Sequence, residues 1–125
     1  MNTQNQSEIS IGVDVGKANL DIAIYPLDRY FRIPNTREAI QKFLPLLKEL
    51  DVKRIVVEAT GRHEHPFVFA CDQAKLPICI VNPIKVRRFA QALGIHAKTD
   101  KIDANVLAKL AATMKPESNA IPDKQ

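Results

Sequence analysis

The stretch from Ile9 to Val15 alternates between bulky apolar residues and small or acidic ones. Successive side chains of a strand point to opposite faces, so this pattern predicts a strand with one bulky face and one face made of small residues and a single acid. The small face comprises Ser10, Gly12 and Asp14. Any fold of this chain must therefore accommodate a strand with a nearly flat side that bears one carboxyl group.

The next two segments extend this strand into a meander. Leu20, Ile22 and Ile24 alternate again after a turn at residues 16–19, which predicts a β-hairpin. Residues 29–33 follow a second turn and can add a third strand. The first part of the chain is therefore expected to be antiparallel.

The rest of the chain alternates between helices and strands. Asn35, with Glu38 three residues on as its capping-box partner, predicts a helix start, and apolar residues at helical spacing continue the helix to Leu50. The further predicted elements are a strand at 54–59, a helix at 67–75, a strand at 78–81, a helix from Asn82 to Gly94 and a helix from Asp100 to about Met114. This order predicts an α/β fold of the ribonuclease H-like kind, a mixed five-stranded sheet with helices on both faces.

Length and composition indicate one domain without membrane contact. The chain has 125 residues, of which we expect 1–8 to be a disordered leader, 9–114 the folded domain and 115–125 a linker or tail. It contains no apolar run long enough to span a membrane and no secretion signal at its N-terminus. Cys71 and Cys79 show no metal-like pairing. These features predict a cytoplasmic location, where thiols stay reduced.

Basic residues concentrate in one part of the sequence. The net charge is only +4, but five basic residues fall within 17 positions of one another. They are Lys85, Arg87, Arg88, Lys98 and Lys101. Such a band favours contact with the backbone of DNA or RNA, whereas a solvated surface is the alternative interpretation.

Four acids form the candidate site. Asp14 and Glu58 each lie at the end of a predicted strand, and Asp100 and Asp103 lie three residues apart on one face at the start of the last helix. Taken alone, the aspartate pair is explained by capping, with Thr99 or Asp100 as the N-cap. Taken alone, Asp14 before a glycine is explained by a turn.

Their expected positions in the fold favour a shared role. The first and fourth strands are neighbours in a sheet of this order, so Asp14 and Glu58 would meet at one edge, which the last helix could cross with Asp100 and Asp103. Converging carboxylates repel one another unless protons or cations neutralise them. Oxygen ligands without Cys or His favour Mg²⁺ or Mn²⁺, and two such ions roughly 3.5–4 Å apart can clamp a phosphodiester.

Four motifs resemble a known family in order and spacing. They are Ile11–Lys17, Val57–Gly61, Val81–Pro83 and Lys98–Ala104. Together they are similar to the N-terminal domain of insertion-sequence transposases of the DEDD type, a family related to the Piv-type DNA invertases. That domain resembles the RuvC Holliday-junction resolvase. The resemblance covers residues 9–115.

The resemblance implies roles for individual residues. The family's four catalytic, metal-binding acids correspond to Asp14, Glu58, Asp100 and Asp103. The implied activity is DNA strand cleavage and transfer with Mg²⁺ or Mn²⁺, guided in some members by an element-encoded RNA. The implied full-length protein is a homo-oligomer.

The sequence departs from the family in two places. The family continues into a C-terminal domain with a serine nucleophile, but the serines here are Ser7, Ser10 and Ser118, none in a suitable site. We therefore expect an N-terminal fragment that does not carry out complete transposition alone. The residues 62–65 also differ from the small and aromatic residues expected after Thr60-Gly61.

Other interpretations remain open from the sequence. One is a RuvC-like structure-specific nuclease, and another is a non-catalytic nucleic-acid-binding module whose binding would depend on salt but not on Mg²⁺. An actin-like ATPase would need a second phosphate loop, which is not found. A zinc site at His63 and His65 with a cysteine does not match standard ligand spacing.

Overall fold

A computed structural model of the chain describes residues 8–117. Its strands are β1 (Ser10–Val15), β2 (Asn19–Tyr25), β3 (Arg29–Pro34), β4 (Arg54–Glu58) and β5 (Ile78–Val81). They form one five-stranded sheet in the order β3-β2-β1-β4-β5. The pairs β1–β2 and β2–β3 are antiparallel, whereas β1–β4 and β4–β5 are parallel. The predicted mixed sheet is confirmed, with β1 at its centre.

Four helices cover the two faces of this sheet. They are α1 (Arg37–Glu49), α2 (His65–Gln73), α3 (Pro83–Ala92) and α4 (Asp100–Met114). The larger core lies between α1, α2 and the bulky face of β1, where Phe67 is fully buried among residues such as Ile11 and Val13. The smaller core lies under α3 and α4, around Val56 and Leu107.

The flat face of β1 allows α4 to approach the sheet closely. A Cβ atom built on Gly12 would lie 2.2 Å from the backbone nitrogen of Ala108 and 2.3 Å from the carbonyl oxygen of Ala104. These two alanines also pack with Ala23 of β2 in a small buried cluster. The small residues that the sequence places on one face of β1 and β2 thus let the helix backbone contact the sheet directly.

The predicted start of α1 differs from the structure. Helix α1 is capped by Thr36, whose side chain accepts a hydrogen bond from the Ala39 amide, and the predicted cap at Asn35 is wrong. Asn35 instead donates from Nδ2 to the carbonyl oxygens of Gly16 and His63, at 2.9 and 3.1 Å. It therefore ties the β1–β2 turn to the loop before α2.

The described residues end close to the predicted domain limits. Glu8, the last residue of the predicted leader, forms an ion pair with Arg54 at 3.3 Å. Residues 1–7 and most of the predicted tail, 118–125, lie outside the described residues.

Within 8–117 no helix is both long and apolar enough to cross a membrane. Cys71 and Cys79 are buried free thiols, and burial raises the pKa of Cys71 to about 12.

Candidate metal centre

A row of three charged residues crosses the antiparallel half of the sheet. Asp14 of β1 lies opposite Asp21 of β2, and Asp21 lies opposite Arg32 of β3. Cross-strand partners point to the same face, so all three lie on the side of the sheet that α4 covers. Asp21 is only 2% exposed, which makes it one of few buried charged residues in the described part of the chain.

The first turn of α4 brings another carboxyl group to this row. Thr99 caps the helix by accepting a hydrogen bond from the Ile102 amide at 3.1 Å, which places Asp100 and Asp103 in the first turn. One carboxylate oxygen each from Asp14, Asp21 and Asp100 lie within 4.8 Å of one another. These oxygens are close enough to bind one cation.

Asp21 was not among the residues singled out from the sequence. The sequence nevertheless contains an indication of its position, because the alternation of Leu20, Ile22 and Ile24 puts Asp21 on the face of β2 that Asp14 occupies in β1. Only the register of the hairpin, however, makes the two aspartates direct neighbours. That register depends on the length of the turn between Val15 and Asn19.

Two side chains of β3 hold Asp21. The hydroxyl group of Tyr30 donates a hydrogen bond to Oδ1 of Asp21, and Nε of Arg32 lies 3.2 Å from the same oxygen. The Nη2 atom of Arg32 reaches in addition to Oδ2 of Asp100, at 3.0 Å. Neither Tyr30 nor Arg32 was predicted to belong to the site.

The carboxyl group of Asp14 is strongly perturbed by its surroundings. Burial, the hydrogen bond with Asp100 and the negative charges of Asp103, Asp100 and Asp21 raise the pKa of Asp14 from 3.8 to about 7. Each cause acts against a negative charge on Asp14. A bound cation would act in the opposite sense.

Glu58 and Asp103 lie beside this cluster rather than within it. Because β1 and β4 are parallel with Val13 opposite Val57, Asp14 and Glu58 follow at the same edge of the sheet, as predicted. Glu58 and Asp103 line a cavity of about 220 Å³ together with Arg87, His96 and Lys98. Asp103 acts electrostatically on both Asp14 and Glu58, so it lies between the two parts of the site.

The cavity is lined by both acidic and basic side chains. Burial raises the pKa of Glu58, and the charge of Asp103 adds to this rise, whereas Lys98 and Arg87 oppose it. The Nζ atom of Lys98 lies 3.6 Å from Oδ2 of Asp103. Two of the predicted phosphate-binding cations thus lie next to the acids.

The other predicted basic residues lie elsewhere. Lys85 and Arg88 line a separate cavity of about 600 Å³ beside Phe89 and Met114. Lys101 extends its Nζ atom over the ring of Tyr30, 5.1 Å from the ring centroid. The basic band of the sequence is therefore divided among three places in the structure.

Hydrogen bonds to Glu64 hold the loop before α2 in place. Glu64 is buried and accepts hydrogen bonds from the amide and the hydroxyl group of Thr60. Burial tends to raise its pKa, but these hydrogen bonds prevail and lower it. His65 is exposed. Among residues 8–117, Asp14, Asp21 and Asp100 are the only group of metal-ligating side chains close enough to hold an ion.

Comparison with known structures defines the class of fold. The chain is similar to T. thermophilus RuvC in complex with Holliday junction substrate, with a TM-score of 0.63 and 14% identity over 89% of this chain and 98% of that one. It is also similar to the fowlpox virus Holliday junction resolvase, with a TM-score of 0.54 and 13% identity over 86% of this chain and 98% of that one. The RuvC-like, ribonuclease H-like fold predicted from the sequence is confirmed.

Comparison of sequences identifies the family to which the chain belongs. Residues 11–125 match the family model of IS110-type DEDD transposases, which is described as a transposase, and the chain belongs to this family. It is also 27% identical over 117 residues to the pilin gene-inverting proteins of Moraxella lacunata and Moraxella bovis. These matches cover 88% of this chain and 36% of each relative, so the chain spans about a third of the length of these relatives.

Proposed function

We propose that this domain supplies the divalent-metal site with which an IS110-type transposase cleaves and transfers DNA strands. The observation that carries the proposal is the placement of Asp14, Asp21 and Asp100, with one oxygen each within 4.8 Å of the others. Glu58 and Asp103, at the same edge of the sheet, extend this group of acids toward the neighbouring cavity.

The residues present fit a hard divalent cation. All ligand atoms in the cluster are carboxylate oxygens, which Mg²⁺ and Mn²⁺ prefer. Asp14 and Asp21 would hold the ion from the sheet and Asp100 from the first turn of α4, while Glu58 and Asp103 would complete the set of acids predicted from the sequence. When bound, such an ion polarises a phosphodiester and neutralises developing negative charge.

The side chains around the acids support DNA as the substrate. Arg87 and Lys98 face the cavity that Glu58 and Asp103 also line, so phosphate oxygens could be held next to the carboxylates. Membership in a transposase family supports the same assignment. An element-encoded guide RNA, a homo-oligomeric full-length protein and action in the cytoplasm belong to this proposal as further expectations from the family.

Thermal unfolding with and without metal tests the proposed site. Millimolar Mg²⁺ or Mn²⁺ should raise the unfolding midpoint of the native chain, because a ligand that binds only the folded state stabilises it. Asp14→Asn and Asp100→Asn should each abolish most of this rise. Asp72→Asn, which changes an exposed aspartate of α2, is the matched control and should respond to metal like the native chain.

The opposite result would point to another function. If metal leaves all midpoints unchanged and the chain still binds DNA, the acids are structural and the domain is a non-catalytic nucleic-acid-binding module. DNA binding should then depend on salt but not on divalent metal.

A further inference from the structure

Arg32 contacts two of the three clustered aspartates at once. Its Nε atom lies 3.2 Å from Oδ1 of Asp21 and its Nη2 atom lies 3.0 Å from Oδ2 of Asp100. A guanidinium group presents several donors in a rigid plane and stays charged at any physiological pH, so it can bridge two carboxylates that would otherwise repel each other. Asp21 and Asp100 come from different elements, β2 and α4, and this bridge joins them.

We propose that Arg32 is an internal counter-cation of the acid cluster, which a divalent metal ion must displace from Asp100 to bind fully. The inference rests on the proposed metal site. A cation between Asp21 and Asp100 competes for carboxylate groups that an ion held by the three aspartates would also use. Arg32 would therefore set the metal concentration at which the site fills, and keep the empty cluster folded.

The exposure of the partners shows which contact can open. The side chains of Arg32 and Asp100 are 51% and 57% exposed, so their contact can be exchanged for solvent. Asp21 is buried and also accepts a hydrogen bond from Tyr30, which fixes it to the sheet. Displacement should thus release Asp100 from Arg32 and leave Asp21 in place.

Metal titration of the chelator-treated chain tests this inference. Mn²⁺ binding is measured by calorimetry for the native chain and for Arg32→Gln, which removes the charge but keeps a polar side chain. Arg32→Gln should bind Mn²⁺ about tenfold more tightly, because the competing charge–charge contacts are lost. Its metal-free unfolding midpoint should fall, because the clustered carboxylates then lack their counter-charge.

Two further variants make the test specific. Arg29→Gln changes an arginine of the same strand that stacks over Phe31, 5.1 Å from the ring centroid, and should leave Mn²⁺ affinity unchanged. Arg32→Lys keeps the charge but cannot bridge two carboxylates with one planar group, so its affinity should lie between those of the native chain and Arg32→Gln. If Arg32→Gln does not fold, Arg32→Lys alone decides, and it should still bind Mn²⁺ more tightly than the native chain.

The outcomes separate this inference from the proposed function. If the native chain binds Mn²⁺ and the Arg32 variants bind it equally well or more weakly, Arg32 is not a competitor and the inference is wrong, while the metal site stands. If neither the native chain nor the Arg32 variants bind Mn²⁺, the proposed metal site is wrong and the inference with it.

Discussion

At the scale of single residues, the raised pKa of Asp14 makes the stability of the domain depend on pH. Its pKa is raised to about 7 by burial and by three neighbouring aspartates, so the folded protein retains a proton that the unfolded chain loses near pH 4. The contribution of Asp14 to stability therefore falls as the pH rises from about 4 to 7, and it is lowest above pH 7.

Asp14→Asn should remove this pH dependence. In the absence of metal, the variant should be more stable than the native chain at pH 8 by about 1–2 kcal/mol, allowing for screening by solvent, and the gain should shrink toward pH 5. Chemical unfolding followed by circular dichroism at both pH values measures the difference. Asp28→Asn, in the exposed β2–β3 turn, should change stability little at either pH. A less stable Asp14→Asn at pH 8 would contradict the electrostatic interpretation.

The sequence identified some members of the cluster and not others for a physical reason. Asp14 and Asp100 lie next to recognisable local signals, a strand end and a helix cap, so their positions could be predicted. Asp21 and Arg32 lie in the middle of strands, and their role follows from the registers β1–β2 and β2–β3. Register depends on contacts between segments distant in sequence, which no local pattern specifies.

At the scale of elements, the contact between α4 and β1 depends on the missing side chain of Gly12. Gly12→Ala should destabilise the domain by about 3 kcal/mol or more, because the new methyl group would overlap the backbone of Ala104 and Ala108. Chemical unfolding gives the magnitude. Gly16→Ala is the matched control, since its Cβ would meet only the Asn19 carbonyl oxygen at 3.3 Å. Equal stabilities of the two variants would show that α4 can shift at no cost.

The start of α4 couples helix capping to the proposed metal site. Thr99→Ala should cost about 1 kcal/mol in stability and weaken Mn²⁺ binding, because Asp100 and Asp103 belong to the turn that this cap fixes. Thr36→Ala removes the equivalent cap of α1 and should cost a similar free energy without changing Mn²⁺ affinity. Chemical unfolding and calorimetry measure the two effects. If both variants lose Mn²⁺ affinity equally, the cap of α4 has no specific role in the site.

The elements themselves were largely predictable, and the main error is informative. Apolar periodicity located the strands and helices because their buried faces repeat every two or 3.6 residues. At the start of α1, Asn35 and Thr36 are both good caps, and the sequence alone favoured the wrong one. Asn35 is used for hydrogen bonds to Gly16 and His63, which are distant in sequence.

At the scale of the whole molecule, the topology gathers the acids and divides the basic residues. The central position of β1 puts Asp14 between Asp21 of β2 and the carboxyl end of β4. The basic residues are close together in the sequence but lie apart in the fold. Arg87 and Lys85, for example, line different cavities on either side of α3. Proximity in sequence therefore predicted a basic band but not its position relative to the acids.

This division leads to a prediction about DNA binding. Replacing Arg87 and Lys98 with glutamine should weaken binding of a labelled branched DNA and reduce the slope of log affinity against log salt by about 2, as expected for the loss of two phosphate contacts. The same change at Lys85 and Arg88 should have a smaller effect, because those side chains line the cavity remote from Glu58 and Asp103. Fluorescence anisotropy at several salt concentrations measures both slopes. A larger loss for the Lys85 and Arg88 pair would place the DNA on the far side of α3, where the clustered carboxylates could not reach its phosphates.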